Sequence, residues 1–225
     1  MTPTLSIIVP MLDEAPGVAA ALSALAPLRQ RGAEVIAVDG SSTDGTLELA
    51  RPHADTALSS PRGRARQMNA GAAVARSDTL LFLHADTRLP EAADRLIDEA
   101  LSRGAHWGRF DVHIEGRPPM LRTIAAMMNL RSRITGIATG DQAMFVRRSA
   151  FERVGGFPDQ PLMEDIELSR RLRALGSPAC LRARVATSGR RWEARGVWPT
   201  IFLMWRLRWR YWRGASPHEL AQAYR

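Results

Sequence analysis

The sequence predicts an α/β fold: a mostly parallel central sheet flanked by helices, followed by a helical, aromatic and basic C-terminal segment. Three observations carry this. Short β-branched runs alternate with Ala/Leu-rich stretches at helical spacing through the first hundred residues. The runs are apolar with little alternation, as expected of strands covered on both faces. The order strand–helix–strand–helix–strand favours right-handed crossovers in one parallel sheet.

The elements follow in order. "LSIIV" (5–9) is a first strand ending at Pro10, "EVIAVD" (34–39) a second and "TLLFLHAD" (79–86) a third. Between them, 16–30, 44–52 and 64–75 have helical spacing. Asp13-Glu14 and Thr43–Thr46 carry turn and N-cap chemistry, with Asp44 the expected N-cap. Helix 90–103 opens at Pro90 with acids in its first turns. "HWGRFDVHI" (106–114) alternates and is expected to be an antiparallel strand. A Met-rich helix (120–130), a strand (143–148), a short helix (150–154), a helix over 164–175 closed by Gly176 and a strand near 179–187 complete the body. Residues 1–190 are expected to form the main domain and 191–225 a basic, Trp-rich helical appendage.

Composition narrows the function. The chain has 225 residues, enough for a real core, and 45% hydrophobic with 24% charged residues is globular rather than disordered. All 31 basic residues are Arg, and the net charge is +8. Without Lys there is no P-loop, Schiff-base or Ser-Lys chemistry. The lone Cys180 excludes a disulfide framework and a Cys-based zinc site. Met1–Ser6 has no basic n-region and no stretch of 18 apolar residues exists, so the expected location is cytoplasmic. The charge is uneven: residues 1–100 hold 9 Arg against 13 acids, and residues 181–225 hold 10 Arg against 2.

In an open α/β sheet, ligands bind beyond the C-terminal strand ends. Here those ends read Pro10-Met11-Leu12-Asp13-Glu14, Asp39-Gly40-Ser41-Ser42 and Asp86-Thr87. Carboxylates crowded on one rim repel unless a cation or a hydroxyl-rich ligand meets them. A nucleotide-sugar with a divalent metal meets both demands.

Four strings in order, "SIIVPMLDEA", "VIAVDGSSTDGT", "GRARQMNAGAAVARSDTLLFLHADT" and "GDQAMFVRRSAFERVGGFPDQPLMEDIELSRRL", resemble the nucleotide-sugar glycosyltransferases of family 2, over about residues 5–175. The resemblance implies a GT-A (Rossmann-like) fold and an inverting transfer of sugar from a nucleoside-diphosphate donor to an acceptor hydroxyl. It implies nucleoside contacts for Glu14 and Asp39, and donor contacts for Arg64 and Asn69. It also implies a divalent cation, Mg²⁺ or Mn²⁺, on Asp86, and a general base at Asp165 with Glu164 as its orienting neighbour. Pro10, Ser41, His84, Ala85, Asp141, Arg190, Arg191 and Trp192 join the substrate-binding set. The family often has Asp-x-Asp where this chain has His84-Ala85-Asp86, so the protein side of a metal site is thin. Arg190-Arg191-Trp192 and the basic C-terminus resemble a compact bacterial subgroup often encoded beside radical-SAM proteins and linked to arsenosugar synthesis.

Five of six Trp lie between 192 and 212. On a helix, Ile201, Trp205, Trp209 and Trp212 share a side and Arg206, Arg210 and Arg213 an adjacent one. This segment suits peripheral contact with an anionic membrane, packing on its own domain, or a homodimer interface. A final helix is expected to be capped at Ser216. Other functions fit less well. A nucleotidyltransferase of similar architecture opens with a Gly-rich signature and a catalytic Lys or Arg, and the first turn has neither. A dinucleotide-binding oxidoreductase needs G-x-G-x-x-G after the first strand. A non-enzymatic basic protein binding nucleic acid leaves the acidic rim unexplained.

Overall fold

A computed structural model of the chain describes residues 2–224. Its strands are β1 (Leu5–Met11), β2 (Ala33–Asp39), β3 (Thr56–Ser59), β4 (Thr79–Phe82), β5 (Thr87–Arg88), β6 (Trp107–Glu115), β7 (Met144–Arg147) and β8 (Ala179–Ser188). The helices are α1 (Val18–Ser23), α2 (Ala26–Gln30), α3 (Thr46–Ala50), α4 (Arg64–Val74), α5 (Ala93–Ser102), α6 (Met120–Thr135), α7 (Arg148–Arg153), α8 (Glu164–Arg173), α9 (Arg190–Arg195), α10 (Val197–Trp212) and α11 (Pro217–Tyr224).

The strands form one eight-stranded sheet in the order β3-β2-β1-β4-β7-β6-β8-β5. The first four are mutually parallel, as the βαβ pattern requires. β7 runs antiparallel to both β4 and β6, and β8 runs parallel to β6. The expected antiparallel setting of 106–114 thus holds only on its β7 side. One apolar cluster covers one face of the sheet with α1, α2 and α5, built on Ile7, Val9, Val35 and Phe110. The other joins α4, α7 and α8 through Ile8, Ile36, Met68 and Leu168. Burial of both faces of β1 and β2 is complete, which explains why these strands show no alternation.

Several boundaries shift for physical reasons. The third expected strand stops at Phe82 because residues 84–87 turn, Thr87 N–H donating to the His84 carbonyl. The stretch 16–30 breaks into α1 and α2, with Pro27 in the first turn of the second. β3 is an edge strand with no apolar run, only partly buried. The N-cap of α3 is Gly45 in a left-handed conformation, not Asp44. Asp44 instead accepts from Thr46 N–H and from Ala15 N–H, fastening the β1 loop to the β2 loop. The Ser216 cap stands, its Oγ accepting from His218 N–H.

Candidate functional site

The C-terminal ends of β1 and β2 are locked side by side before any ligand is considered. Gly40 N–H donates to the Met11 carbonyl, and the buried Gln67 amide donates to the carbonyls of Met11 and Val38 at 2.6 and 2.9 Å. A Cβ at Gly40 would lie 2.9 Å from that amide, so α4 can approach only because residue 40 has no side chain. Asp39, 3% exposed, accepts from Ser42 through both its N–H and its hydroxyl. Asp13 Oδ1 accepts from Thr43 N–H while Asp13 N–H donates to Ser42 Oγ. Among the described residues other than glycine, left-handed backbone occurs at Asp13, Ser41, Ala143 and Met163. All four sit in loops at the rim, and strain concentrated this way marks a site the surrounding structure holds in place.

The sheet brings Glu14, Asp86 and Arg190 together from three distant segments. Arg190 Nη2 is 3.5 Å from Glu14 Oε2 and 3.8 Å from Asp86 Oδ2. Asp86 is placed by the meeting of β5 and β8, where Ser188 N–H donates to its carbonyl. Next to it, Arg191 stacks on the Tyr224 ring at 4.5 Å. Trp192 and Ala85 pack against the first cluster, and Pro10 is buried within β1.

The acceptor-side loops form a second group. His84 Nδ1 lies 3.3 Å from Asp141 Oδ1, its Nε2 buried against Gly140 with no hydrogen-bond partner. The N-terminus of α8 presents Glu164 and Asp165. Asp165 Oδ2 accepts from Gly140 N–H at 2.8 Å and Oδ1 from Ile166 N–H at 2.7 Å. Glu164 is almost wholly buried, and Arg64, half exposed, reaches it at 3.3 Å. Burial first, and the neighbouring Asp165 second, push the Glu164 carboxyl above its ordinary value against the pull of Arg64. Arg64, His84, Gly140, Glu164 and Asp165 surround a cavity of about 10 Å³, room for roughly one water.

Not every expected residue faces this space. Asn69 spends its amide on the backbone of Phe157, donating to the carbonyl and accepting from the N–H. Ser41 Oγ donates to the Ser60 carbonyl. Gln67, which ties α4 to both strand ends, carries no local motif: it lies among Arg64, Arg66 and Asn69, and nothing in the sequence marks it.

As a test of a divalent metal, the donor count is low. Among the described residues no three His, Cys, Asp or Glu side chains converge on one point. Asp86 is the lone carboxylate of its motif, partly open and with a hard oxygen donor set suited to Mg²⁺ or Mn²⁺. A cation there would take its remaining ligands from phosphate oxygens and water.

The sequence pattern of Glycosyl transferase family 2 matches residues 6–155. The chain is 32% identical over 192 residues to the succinoglycan biosynthesis protein ExoA of Rhizobium meliloti (strain 1021), covering 76% of this chain and 58% of that protein. Among solved structures, the S. aureus TarS 1-349 complex with UDP-GlcNAc aligns with a TM-score of 0.64 and 18% identity over 82% of this chain and 58% of that one. A mannosyltransferase, PcManGT from Pyrobaculum calidifontis, in complex with GDP-Man and Mn²⁺ aligns with a TM-score of 0.63 and 23% identity over 100% of this chain and 69% of that one. These two likenesses show the fold. The chain spans little more than half the length of ExoA and of the TarS fragment.

Proposed function

The chain belongs to glycosyl transferase family 2, and from that premise we propose that it transfers a sugar from a nucleoside-diphosphate sugar to an acceptor hydroxyl, inverting the anomeric carbon. One observation carries the reading: Glu14, Asp86 and Arg190 meet at the C-terminal rim of a parallel sheet whose neighbouring strand β2 ends in Asp39, and a polyhydroxylated, diphosphate-bearing ligand there satisfies both signs of charge. Asp39 and Glu14 accept from the nucleoside. Arg190 and Arg191 donate to the diphosphate, a geometry that guanidinium serves well. Asp86 would hold a divalent cation, which would supply positive charge to the leaving diphosphate. Asp165 takes the proton from the acceptor hydroxyl as that oxygen attacks C1, and burial pushes the carboxyl of Glu164 beside it above its ordinary value, which makes Asp165 the readier of the two to be ionised. A single displacement with one base inverts the stereocentre.

Arg190 spans Glu14 and Asp86, and its guanidinium exchanges these carboxylates for phosphate oxygens as donor enters. The exposed aromatic stripe of α10 adds a location to the reading: peripheral contact with an anionic membrane, with no helix of the described residues long and apolar enough to cross one. A thermal-shift panel of nucleotide-sugars with Mg²⁺ and Mn²⁺ identifies the donor, because stabilisation grows with ligand excess over Kd. Asp86→Ala is expected to remove the divalent dependence of nucleoside-diphosphate binding. Unchanged metal-linked binding in calorimetry refutes the metal assignment, and a panel with no responding nucleotide refutes the donor class.

A further inference from the structure

The two arginines that open α9 are held in different ways. Arg190 reaches the carboxylates of Glu14 and Asp86. Arg191, exposed, makes no salt bridge among the described residues. Its guanidinium carbon instead lies 4.5 Å from the centre of the Tyr224 ring. Asp141 and Asp86 act on it electrostatically from farther away, so its charge lies in the field of the same rim. The ring is not a loose partner. Tyr224 is half-buried and packs, with Ala223, against the cluster of Met163, Leu207 and Leu220. Its carbonyl accepts from Arg195 Nη1 at 2.9 Å. Arg195 stands one turn after Arg191 on α9, so two residues on one side of that helix grip the end of α11. Arg210 adds an ion pair to Glu219 at 3.5 Å, which ties α11 to α10.

We propose that Tyr224 is a positioning residue for the donor site: its ring holds the Arg191 guanidinium at the rim, set to meet the diphosphate. The proposal rests on the reading of Arg191 as a diphosphate contact, and it brings α11 into a site that this reading builds without it. Two points of chemistry carry it. A carboxylate holds an arginine by occupying its N–H donors, and those donors must be released before phosphate binds. An aromatic ring attracts the cation through its quadrupole and offers no lone pair in the ring plane's place of an oxygen, so the donors stay available. The second point is entropy. An exposed arginine samples many rotamers, and fixing it at the moment of binding weakens affinity. A ring already in place moves that loss into folding. The two arginines thus divide the work: Arg190 changes partners as donor enters, while Arg191 is set beforehand. Tyr224 acts on the donor through Arg191 alone.

The test is calorimetry on the full chain with UDP and with GDP in Mg²⁺, followed by a double-mutant cycle on the nucleotide that binds. Arg191→Gln is expected to weaken binding about tenfold or more. Tyr224→Leu is expected to weaken it about three- to tenfold, the scale of a cation–π contact. Tyr224→Phe keeps the ring and is expected to restore most of that loss. In the Arg191→Gln background, Tyr224→Leu is expected to add nothing. This coupling separates positioning from a general structural role, which would weaken both backgrounds by the same factor. Wild-type affinity in Tyr224→Leu, equal losses in the two backgrounds, or a Tyr224→Phe chain as weak as Tyr224→Leu each overturns the proposal. Failure of the donor reading looks different. If Arg191→Gln binds as the wild type does, Arg191 is no diphosphate contact and both statements fall. If Arg191→Gln is impaired and Tyr224→Leu is not, only the positioning falls. If neither UDP nor GDP binds, the donor class fails, and the cycle is run with inorganic pyrophosphate and Mg²⁺; no coupling there overturns the positioning as well.

Discussion

Asp165 is held at both oxygens by main-chain N–H groups, one from the turn at Gly140 and one from the first turn of α8. Asp165→Asn keeps one acceptor and loses the base. Transfer is expected to fall on the order of 10²–10⁴-fold, with donor affinity retained in calorimetry; a fully active variant removes Asp165 as base. Its neighbour titrates in the opposite sense to a paired carboxylate. Because burial raises Glu164 above its ordinary value of 4.5, the folded chain holds that proton more tightly than the unfolded chain. This contribution to stability is present below 4.5 and is lost as pH rises through the elevated value. Glu164→Gln is expected to flatten that part of the Tm-against-pH curve, and an unchanged slope would show that another group causes it. The positions of Asp39, Glu14 and Asp86 at the sheet rim could be read from the sequence, because Asp39 ends β2 and Glu14 and Asp86 lie in the loops that follow β1 and β4. Gln67 could not, because its role depends on partners 29 to 56 residues away.

At the scale of elements, α4 does the most to fix the proposed donor side. Gln67 bridges the ends of β1 and β2, and one turn later Gly71 lets the helix lie flat on them. A Cβ at Gly71 would come 2.5 Å from Ile8 Cγ2 and 3.0 Å from Val38 Cγ2. Both are rigid, fully buried β-branched side chains, so neither can yield cheaply. Gly71→Ala, favourable in an isolated helix, is instead expected to destabilise the chain by about 1–3 kcal/mol from overpacking, measured by denaturant unfolding. A neutral result would mean that the helix can lift without consequence. The parallel strands were predictable because complete burial leaves a continuous apolar run. β3 escaped prediction because an edge strand buries too little to need one. The orientation of β6 was only half predictable, since β7 and β8 pair with it in opposite senses and alternation does not encode direction.

For the whole molecule, the excess of Arg after residue 181 proves to have two destinations. α10 turns Leu207 and, with α11, Leu220 inward onto Met163, the residue that opens α8 in a left-handed conformation immediately before Glu164 and Asp165. The C-terminal helices thus brace the proposed base from behind, and truncating them would disturb the site as well as the surface. The opposite side of α10 carries Trp198, Phe202, Trp205, Trp209 and Trp212, all exposed, Trp212 at 81%. Ile201, expected on that stripe, packs against the first cluster instead, which rotates the stripe toward Phe202. Arg206 and Arg213 flank it. Exposed rings bordered by Arg match the chemistry of an anionic bilayer interface, where each basic residue near the surface adds about 1 kcal/mol. Point substitutions test this without removing the brace. The Trp205→Glu, Trp209→Glu double variant is expected to lose cosedimentation with phosphatidylglycerol vesicles while keeping donor affinity and Tm. Wild-type binding is expected to weaken as ionic strength rises, because the Arg contribution is screened. Equal vesicle binding by both forms refutes membrane contact. If sedimentation equilibrium instead shows a wild-type dimer that the double variant dissolves, the stripe is a protein interface, and its aromatic rings serve a second copy of the chain.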